Sequence, residues 1–366
     1  MRRTLSLIVA IASLSACTFC EQGIAGNWRE PLNVGANLPF IQYALPRTDL
    51  QGASKKPVWQ RDPSAQFKST FIAVDKDVKL QVIDWGGSGR PLILLAGLGA
   101  SAHAFDKFAP KLIGTYHVYG ITRRGFGASS HPAPTNGNYS ADRLGDDVMA
   151  VIDALKLNRP VLVGHSIAGE ELSSVGSRYP DKVAGLIYLD AGYSYAYYDS
   201  SRGDLTLDSL EFRKKLEQLI PGAGPQDQKQ LVQELLQTSL PQLEKDLREQ
   251  QKALQSIPAL PQSGGLSSLT FQAVFAGERK YTDIKVPILA IFAVPHHLGP
   301  LFKDDPTARR AAEALDADFS GAQAKAFETG LPSARVVRLA NADHWVFQSN
   351  EADVLHEMNA FLSGLP

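Results

Sequence analysis

Val161-Leu162-Val163-Gly164-His165-Ser166-Ile167-Ala168-Gly169 is the stretch on which the reading of this chain turns. A short apolar run gives way to a serine set among small residues. Ala168, Leu172, Val175 and Tyr179 then recur at the spacing of one helix face, up to Pro180. The pattern predicts a buried strand that turns sharply into a helix, with Ser166 at the corner. A turn this tight needs small neighbours, and Gly164, Ala168 and Gly169 supply them. It holds the serine hydroxyl out at the carboxyl end of the sheet, above a helix N-terminus that favours developing negative charge. The simpler reading of the same residues is an N-cap serine after a strand.

The short apolar run recurs along the chain. Pro91–Ala96, His117–Ile121, Pro160–Gly164, Val183–Leu189, Val286–Val294 and Ala334–Leu339 all read as strands. Helical patterns lie between them. Leu144, Val148, Val151, Ile152 and Leu155 share one face behind Ser140, a candidate N-cap, and further helices are expected over Ala308–Thr329 and from Glu351 to Leu362. Thr70–Val74 and Lys79–Trp85 form a hairpin pattern around Asp75-Lys76-Asp77. Alternating strands and helices predict an α/β fold, a mostly parallel twisted sheet flanked by helices. From 191 to 281 the signals are only helical. Phe212, Leu216, Leu219 and Ile220 make one stripe, Leu231, Val232, Leu235 and Leu236 another, and Leu243 with Leu247 a third, broken by prolines at 221, 225, 241, 258 and 261. The expected layout is a core of residues 68–190 and 282–366 with a helical cap of residues 191–281 inserted in it.

Composition narrows the function. The 366 residues carry 37 Lys+Arg against 38 Asp+Glu, a net charge of −1, with 44% hydrophobic residues. There is enough apolar surface for a folded core, and no positive excess to neutralise the phosphates of a nucleic acid. Two cysteines build neither a disulfide framework nor a four-cysteine zinc site. Met1-Arg2-Arg3 and the apolar run Thr4–Leu14 have the form of an export signal, too short to span a bilayer. Leu14-Ser15-Ala16-Cys17 follows and looks like a bacterial lipoprotein box, cleaved before Cys17, whose thiol is then lipidated. An ordinary signal peptide cut nearby is the alternative. Residues 1–16 are thus an expected export signal and residues 17–67 a tether with irregular structure. The expectation is an exported protein held to the membrane only through lipidated Cys17, with a small-molecule substrate and no indicated protein or nucleic-acid partner.

Three more segments accompany the serine turn. Leu95-Ala96-Gly97-Leu98-Gly99-Ala100-Ser101 is a glycine-rich loop after a strand, able to aim a backbone N–H at the serine. Thr122-Arg123-Arg124-Gly125-Phe126-Gly127-Ala128-Ser129 follows the next strand. Leu339-Ala340-Asn341-Ala342-Asp343-His344-Trp345 puts a histidine in the loop after the last strand. In order and position these resemble the α/β-hydrolase superfamily, in its capped branch with a serine nucleophile, from about residue 68 to the C-terminus.

The resemblance implies a nucleophile at Ser166, a general base at His344, and oxyanion-holding N–H groups at Leu98 and Ile167. Departures are visible: Ala168 stands where glycine is usual, Ala96-Gly97 where His-Gly is usual, and Thr122 where Asp is usual. Arg124 in that segment reads as a structural hydrogen-bonding residue. The usual place for the acid, after the strand that follows the cap, reads Ile291-Phe292-Ala293-Val294-Pro295-His296-His297, without a carboxylate. A histidine base still needs an acceptor that fixes its tautomer. Asp190, ending the strand before the cap, is the expected acid, with Asp304 or Asp305 as the alternatives.

Adjacent His296 and His297 cannot both face one ion from a regular element, so no metal is expected, and no cofactor. They read as residues at a pocket rim or just behind the catalytic groups. His103, Tyr193 and Tyr195 are further candidates for the pocket wall, although the tyrosines fit equally well as packing under the cap. The expected activity is hydrolysis of a small or medium carboxylic ester, with thioester, lactone, amide or C–C bonds as variants. The rival from another class is a non-catalytic envelope lipoprotein that binds a small apolar ligand, kept open by the missing acid.

Overall fold

Lys68–Asp75 (β1) and Val78–Gly86 (β2) form the expected antiparallel hairpin, turning at Asp77, whose φ of 60° is left-handed. The computed structural model describes residues 66–220, 227–256, 268–298 and 306–366. The expected export signal, Cys17, Cys20, nearly all of the tether, and Asp304 and Asp305 lie outside the described residues. Six more strands follow: Pro91–Leu95 (β3), His117–Ile121 (β4), Val161–His165 (β5), Gly185–Leu189 (β6), Ile288–Ala293 (β7) and Ala334–Leu339 (β8). They join the hairpin in one sheet of order β1-β2-β4-β3-β5-β6-β7-β8. From β4 to β8 every pairing is parallel, while β2 pairs antiparallel with β4. β6 and β7 begin two residues later than the apolar runs suggested: the Ala184 N–H bonds to the Pro160 carbonyl and the Pro287 carbonyl accepts the Leu186 N–H, at the ends of the strands before regular pairing starts.

The central strands are apolar on both faces because helices cover both. Ile93 and Leu95 point into a core shared with Val148 and Leu172, whereas Leu92 and Leu94 face Phe105, Phe108, Phe347 and Met358. This alternation is the period-two geometry of a strand. Each such aliphatic, fully buried, contributes about 1.5–3 kcal/mol. On the first face lie Ala141–Ala154 (α1) and Ala168–Arg178 (α2). Ser140 does cap α1, its hydroxyl accepting the Arg143 N–H at 3.3 Å.

Between β6 and β7 lie four described α-helices, Leu205–Glu217 (α3), Gln228–Glu234 (α4), Leu240–Ser256 (α5) and Leu269–Ala276 (α6), with irregular segments over 190–204 and 277–287 on either side. Asp204 caps α3 and Asp227 caps α4 through their carboxylates. The apolar stripes there are only half used. Leu231 and Leu235 are buried, but Leu236 is 61% exposed. Pro306–Gly330 (α7) and Glu351–Ser363 (α8) complete the layers. Arg124 is fully buried and bidentate with Asp147 on α1, at 2.7 and 2.6 Å, which fixes the Arg-Gly-Phe-Gly loop to the first helix layer.

Candidate active site

Ser166 sits between β5 and α2 with φ 56°, a left-handed conformation that a non-glycine residue adopts at a cost of about 1–3 kcal/mol. The surroundings hold it there. The Ser166 N–H donates to the Leu189 carbonyl of β6, and its carbonyl accepts the Gly169 N–H of α2. Small residues are needed, as the sequence indicated. A Cβ on Gly164 would lie 2.9 Å from Leu172, and one on Gly169 would overlap the carbonyl oxygen of Ala191. Ala168 is fully buried, so its extra methyl is accommodated.

The glycine-rich loop after β3 comes directly against the serine. A Cβ on Gly97 would be 3.0 Å from the Ser166 Cβ and 2.9 Å from His165 Nδ1. Among the described residues, neither the Leu98 nor the Ile167 N–H has a hydrogen-bond acceptor. Unpartnered backbone donors beside a buried turn are uncommon, and here both flank Ser166. The loop is braced from below: Arg123 donates to the Ala96 carbonyl at 3.1 Å and is itself paired with Glu171 on α2.

His344 comes from the loop after β8, and β7 lies between that strand and β6. The loop crosses it by bonding along the segment that follows β7: Val294 N–H to Leu339, Asn341 N–H to Pro295, and His297 N–H to Ala342. His344 Nδ1 then reaches Asp190 Oδ2 at 2.6 Å, both groups buried. Asp190 follows β6 with φ 47°, and its Oδ1 accepts the Ala293 N–H at 3.0 Å. The loop reaches as far as β5, where the His344 carbonyl lies 3.0 Å from His165 Nε2. Burial, reinforced by His344, pushes the His165 imidazole down to about 3, so the ring is neutral. Its one proton therefore sits on Nε2 and donates to that carbonyl. In the resting structure the Ser166 hydroxyl makes no hydrogen bond to His344.

The candidate wall residues scatter. His296 is 2% exposed and lies behind Asp190, with Nε2 at 2.7 Å from the same Oδ2. His297 turns outward onto Asp343 at 3.2 Å. Tyr193 and Tyr195 are buried, Tyr193 with its ring among Phe292, Phe319 and Tyr195, so they stand as packing rather than as an open wall. His103 faces Asp106 at 3.1 Å and the Phe67 ring. Asp190, His296 and His344 each place an atom of metal-ligand type within 4.8 Å of the others. The 2.6 and 2.7 Å separations among them are those of N–H···O hydrogen bonds, and an ion would have to displace both protons.

A model of the alpha/beta hydrolase fold matches residues 90–351. The chain belongs to that family. Relatives within it span several chemistries. Residues of this chain are 34% identical over 116 positions to a fluoroacetate dehalogenase of a Burkholderia species, covering 31% of this chain and 38% of that protein. They are 31% identical over 113 positions to a 2-hydroxymuconate semialdehyde hydrolase of a Pseudomonas species, covering 30% and 39%. The match thus spans about two fifths of these curated relatives. Among solved structures, epoxide hydrolase A of Mycobacterium thermoresistibile aligns with a TM-score of 0.51 at 21% identity, over 82% of this chain and 99% of that one. A bromoperoxidase of Bacillus anthracis gives 0.50 at 18%, over 81% and 100%. At such identities the structures establish the fold.

One residue of this alpha/beta hydrolase escaped the reading of its sequence. Asp316, buried on α7, accepts from His296 Nδ1 at 3.0 Å and from the His296 backbone N–H at 2.6 Å. Nothing local marks it, since it lies in a helix twenty residues from its partner.

Proposed function

We propose that this protein is a serine hydrolase that cleaves a small or medium carboxylic ester through an acyl-enzyme. The observation that carries the reading is the buried His344 Nδ1–Asp190 Oδ2 contact of 2.6 Å, set at the mouth of a strained turn that presents Ser166. In this reading substrate binding brings Ser166 and His344 together, since such contacts tighten in the Michaelis complex. His344 Nε2 takes the hydroxyl proton while Oγ attacks the carbonyl carbon. The free Leu98 and Ile167 N–H groups hold the oxyanion, and Asp190 steadies the imidazolium. His344 returns the proton to the leaving alcohol, then draws one from water to clear the acyl group. A serine at the turn sets the chain apart from reactions in which a carboxylate at that place is the nucleophile.

The proposal includes export, supported by Arg2, Arg3, the apolar run behind them and Cys17. Metabolic labelling with a fatty-acid analogue, lost in Cys17→Ala, tests the lipid. For the activity, the purified protein is treated with a fluorophosphonate probe beside Ser166→Ala and Asp190→Asn, and then with p-nitrophenyl esters of increasing acyl length. Labelling lost in Ser166→Ala and strongly slowed in Asp190→Asn is expected. A wild type that neither labels nor turns over any ester would sink the reading and leave a ligand-binding protein in its place.

A further inference from the structure

Asp190 Oδ2 is shared. It accepts from His344 Nδ1 at 2.6 Å and faces His296 Nε2 at 2.7 Å. The other ring nitrogen of His296 faces a second carboxylate, with both Asp316 oxygens 3.0 Å from Nδ1. All three groups are less than 5% exposed. A neutral imidazole carries one N–H, so one of these two contacts would set nitrogen and oxygen lone pairs against each other in a dry site. A doubly protonated ring satisfies both. Two carboxylates and one imidazolium then leave a single net negative charge, the amount that a protonated His344 cancels.

We propose that His296 is a positioning residue of this site: a fixed imidazolium bridging Asp190 and Asp316, which shares Asp190 Oδ2 with His344 and thereby sets the pH range over which His344 works as a base. The inference rests on the Ser166–His344–Asp190 reading. Other titratable groups facing His296 fit it. The Tyr193 hydroxyl, 3.4 Å from Nε2, is pushed well above the ordinary range for tyrosine by burial and by the Asp190 charge, so it is neutral. The His344 ring lies 6.0 Å away between centroids. His297 is exposed and faces Asp343, not His296. Burial opposes a charge on His296, but the Asp190 charge and the bonds to Asp190 and Asp316 outweigh it and raise the group to about 10. Burial likewise opposes the charge on Asp190, but the His296 charge, helped by hydrogen bonds from His296 and His344, holds it well below the usual carboxylate range.

Nitrogen-15 NMR of the histidine rings in the unmodified protein is the direct test and needs no turnover. One histidine with both ring nitrogens protonated from pH 6 to 9, and absent in His296→Gln, is expected. In Asp316→Asn the same ring should lose its second proton at lower pH. In His296→Gln, Asp190 becomes an uncompensated buried anion beside His344, so the acid limb of kcat/KM should move to higher pH by about one to two units, from a charge 6.0 Å away at an effective dielectric near 20. A His296 ring with a single proton at pH 7 would overturn the proposal, and so would a His296→Gln profile that superimposes on the wild type. Absence of fluorophosphonate labelling in the wild type would instead remove the hydrolase reading and leave the spectrum to judge His296. Should His296→Gln fail to fold, Asp316→Asn and the wild-type spectrum still decide.

Discussion

Gly97→Ala probes the proposed oxyanion loop with one methyl group. The new carbon would sit 3.0 Å from the Ser166 Cβ and 2.9 Å from His165 Nδ1. Apolar carbons are comfortable at about 3.5–4.0 Å, so the loop and the serine must part by roughly 0.5–1 Å. The far side does not yield. The His165 ring is wedged against Trp345, Phe347 and His344, with centroids 4.4, 5.3 and 4.7 Å away, and Ser166 is fixed by its own strained turn. The loop therefore moves outward and carries the Leu98 N–H with it. An oxyanion donor works at about 2.7–3.1 Å, and displacement on this scale takes it beyond a useful bond. Loss of one such donor costs about 100- to 1,000-fold in kcat. KM should change little, because the interaction is made in the transition state. Stability should fall by about 1–3 kcal/mol, the usual cost of overpacking. Gly321→Ala is the control. It lies in α7 with only Val294 Cγ1 at 3.7 Å, and alanine there should stabilise the helix by about 1 kcal/mol with activity unchanged. Stopped assays with p-nitrophenyl butyrate and thermal melts of both variants decide the matter. A Gly97→Ala enzyme whose kcat stays within threefold of wild type would refute the placement of the Leu98 N–H.

Two further outcomes test the framework around the site. Asp147→Asn leaves the fully buried Arg124 guanidinium with only the partly exposed Asp75 carboxylate, 3.8 Å away, and should cost about 3–5 kcal/mol by denaturant unfolding, whereas the double change Arg124→Met with Asp147→Leu should recover most of it. Glu170, fully buried on α2, has no hydrogen-bond partner among the described residues for either carboxylate oxygen, and burial followed by the Glu278 charge raises it well above the ordinary range. Its contribution is complete below the ordinary carboxylate range and is lost as pH climbs through the folded value, by up to about 1.4 kcal/mol per pH unit. Glu170→Gln should therefore melt higher than wild type at pH 8 and equal it near pH 4; a difference of the same size at both would refute the assignment.

What could be read in the sequence was local. The serine turn is written in nine consecutive residues, because a strand, a left-handed corner and a helix start each constrain their own neighbours. Ser140, Asp190 at a strand end and the strand runs were legible for the same reason, and the misplaced starts of β6 and β7 show the limit: an apolar run does not say where pairing begins. Buried aromatics were less legible, since Tyr193 and Tyr195 look alike as pocket wall and as packing until the Phe292 and Phe319 rings are seen beside Tyr193, and Tyr193 beside Tyr195. His296 was legible as a residue at a pocket rim or just behind the catalytic groups, but not as a bridge between two carboxylates. Its role depends on Asp316, brought over by a helix whose register no short motif encodes.

The place of the acid and the nature of His296 are one choice. The loop after β8 is bonded along the segment that follows β7, so it delivers His344 over that segment to the end of β6. With Asp190, the proposed acid, just after β6, His296 in the segment beyond β7 lies within reach of the same carboxylate oxygen. A second carboxylate there would stack negative charge beside Asp190 in a buried site and drive one of the pair to bind a proton. A small apolar residue would leave Asp190 with His344 and the Ala293 N–H alone. An imidazolium anchored by Asp316 supplies a donor and a compensating charge at 2.7 Å, and Asp190 stays ionised in the absence of solvent. Moving the acid to the end of β7 would thus require replacing His296 and Asp316 as well, and a single relocated carboxylate should not restore activity to Asp190→Asn.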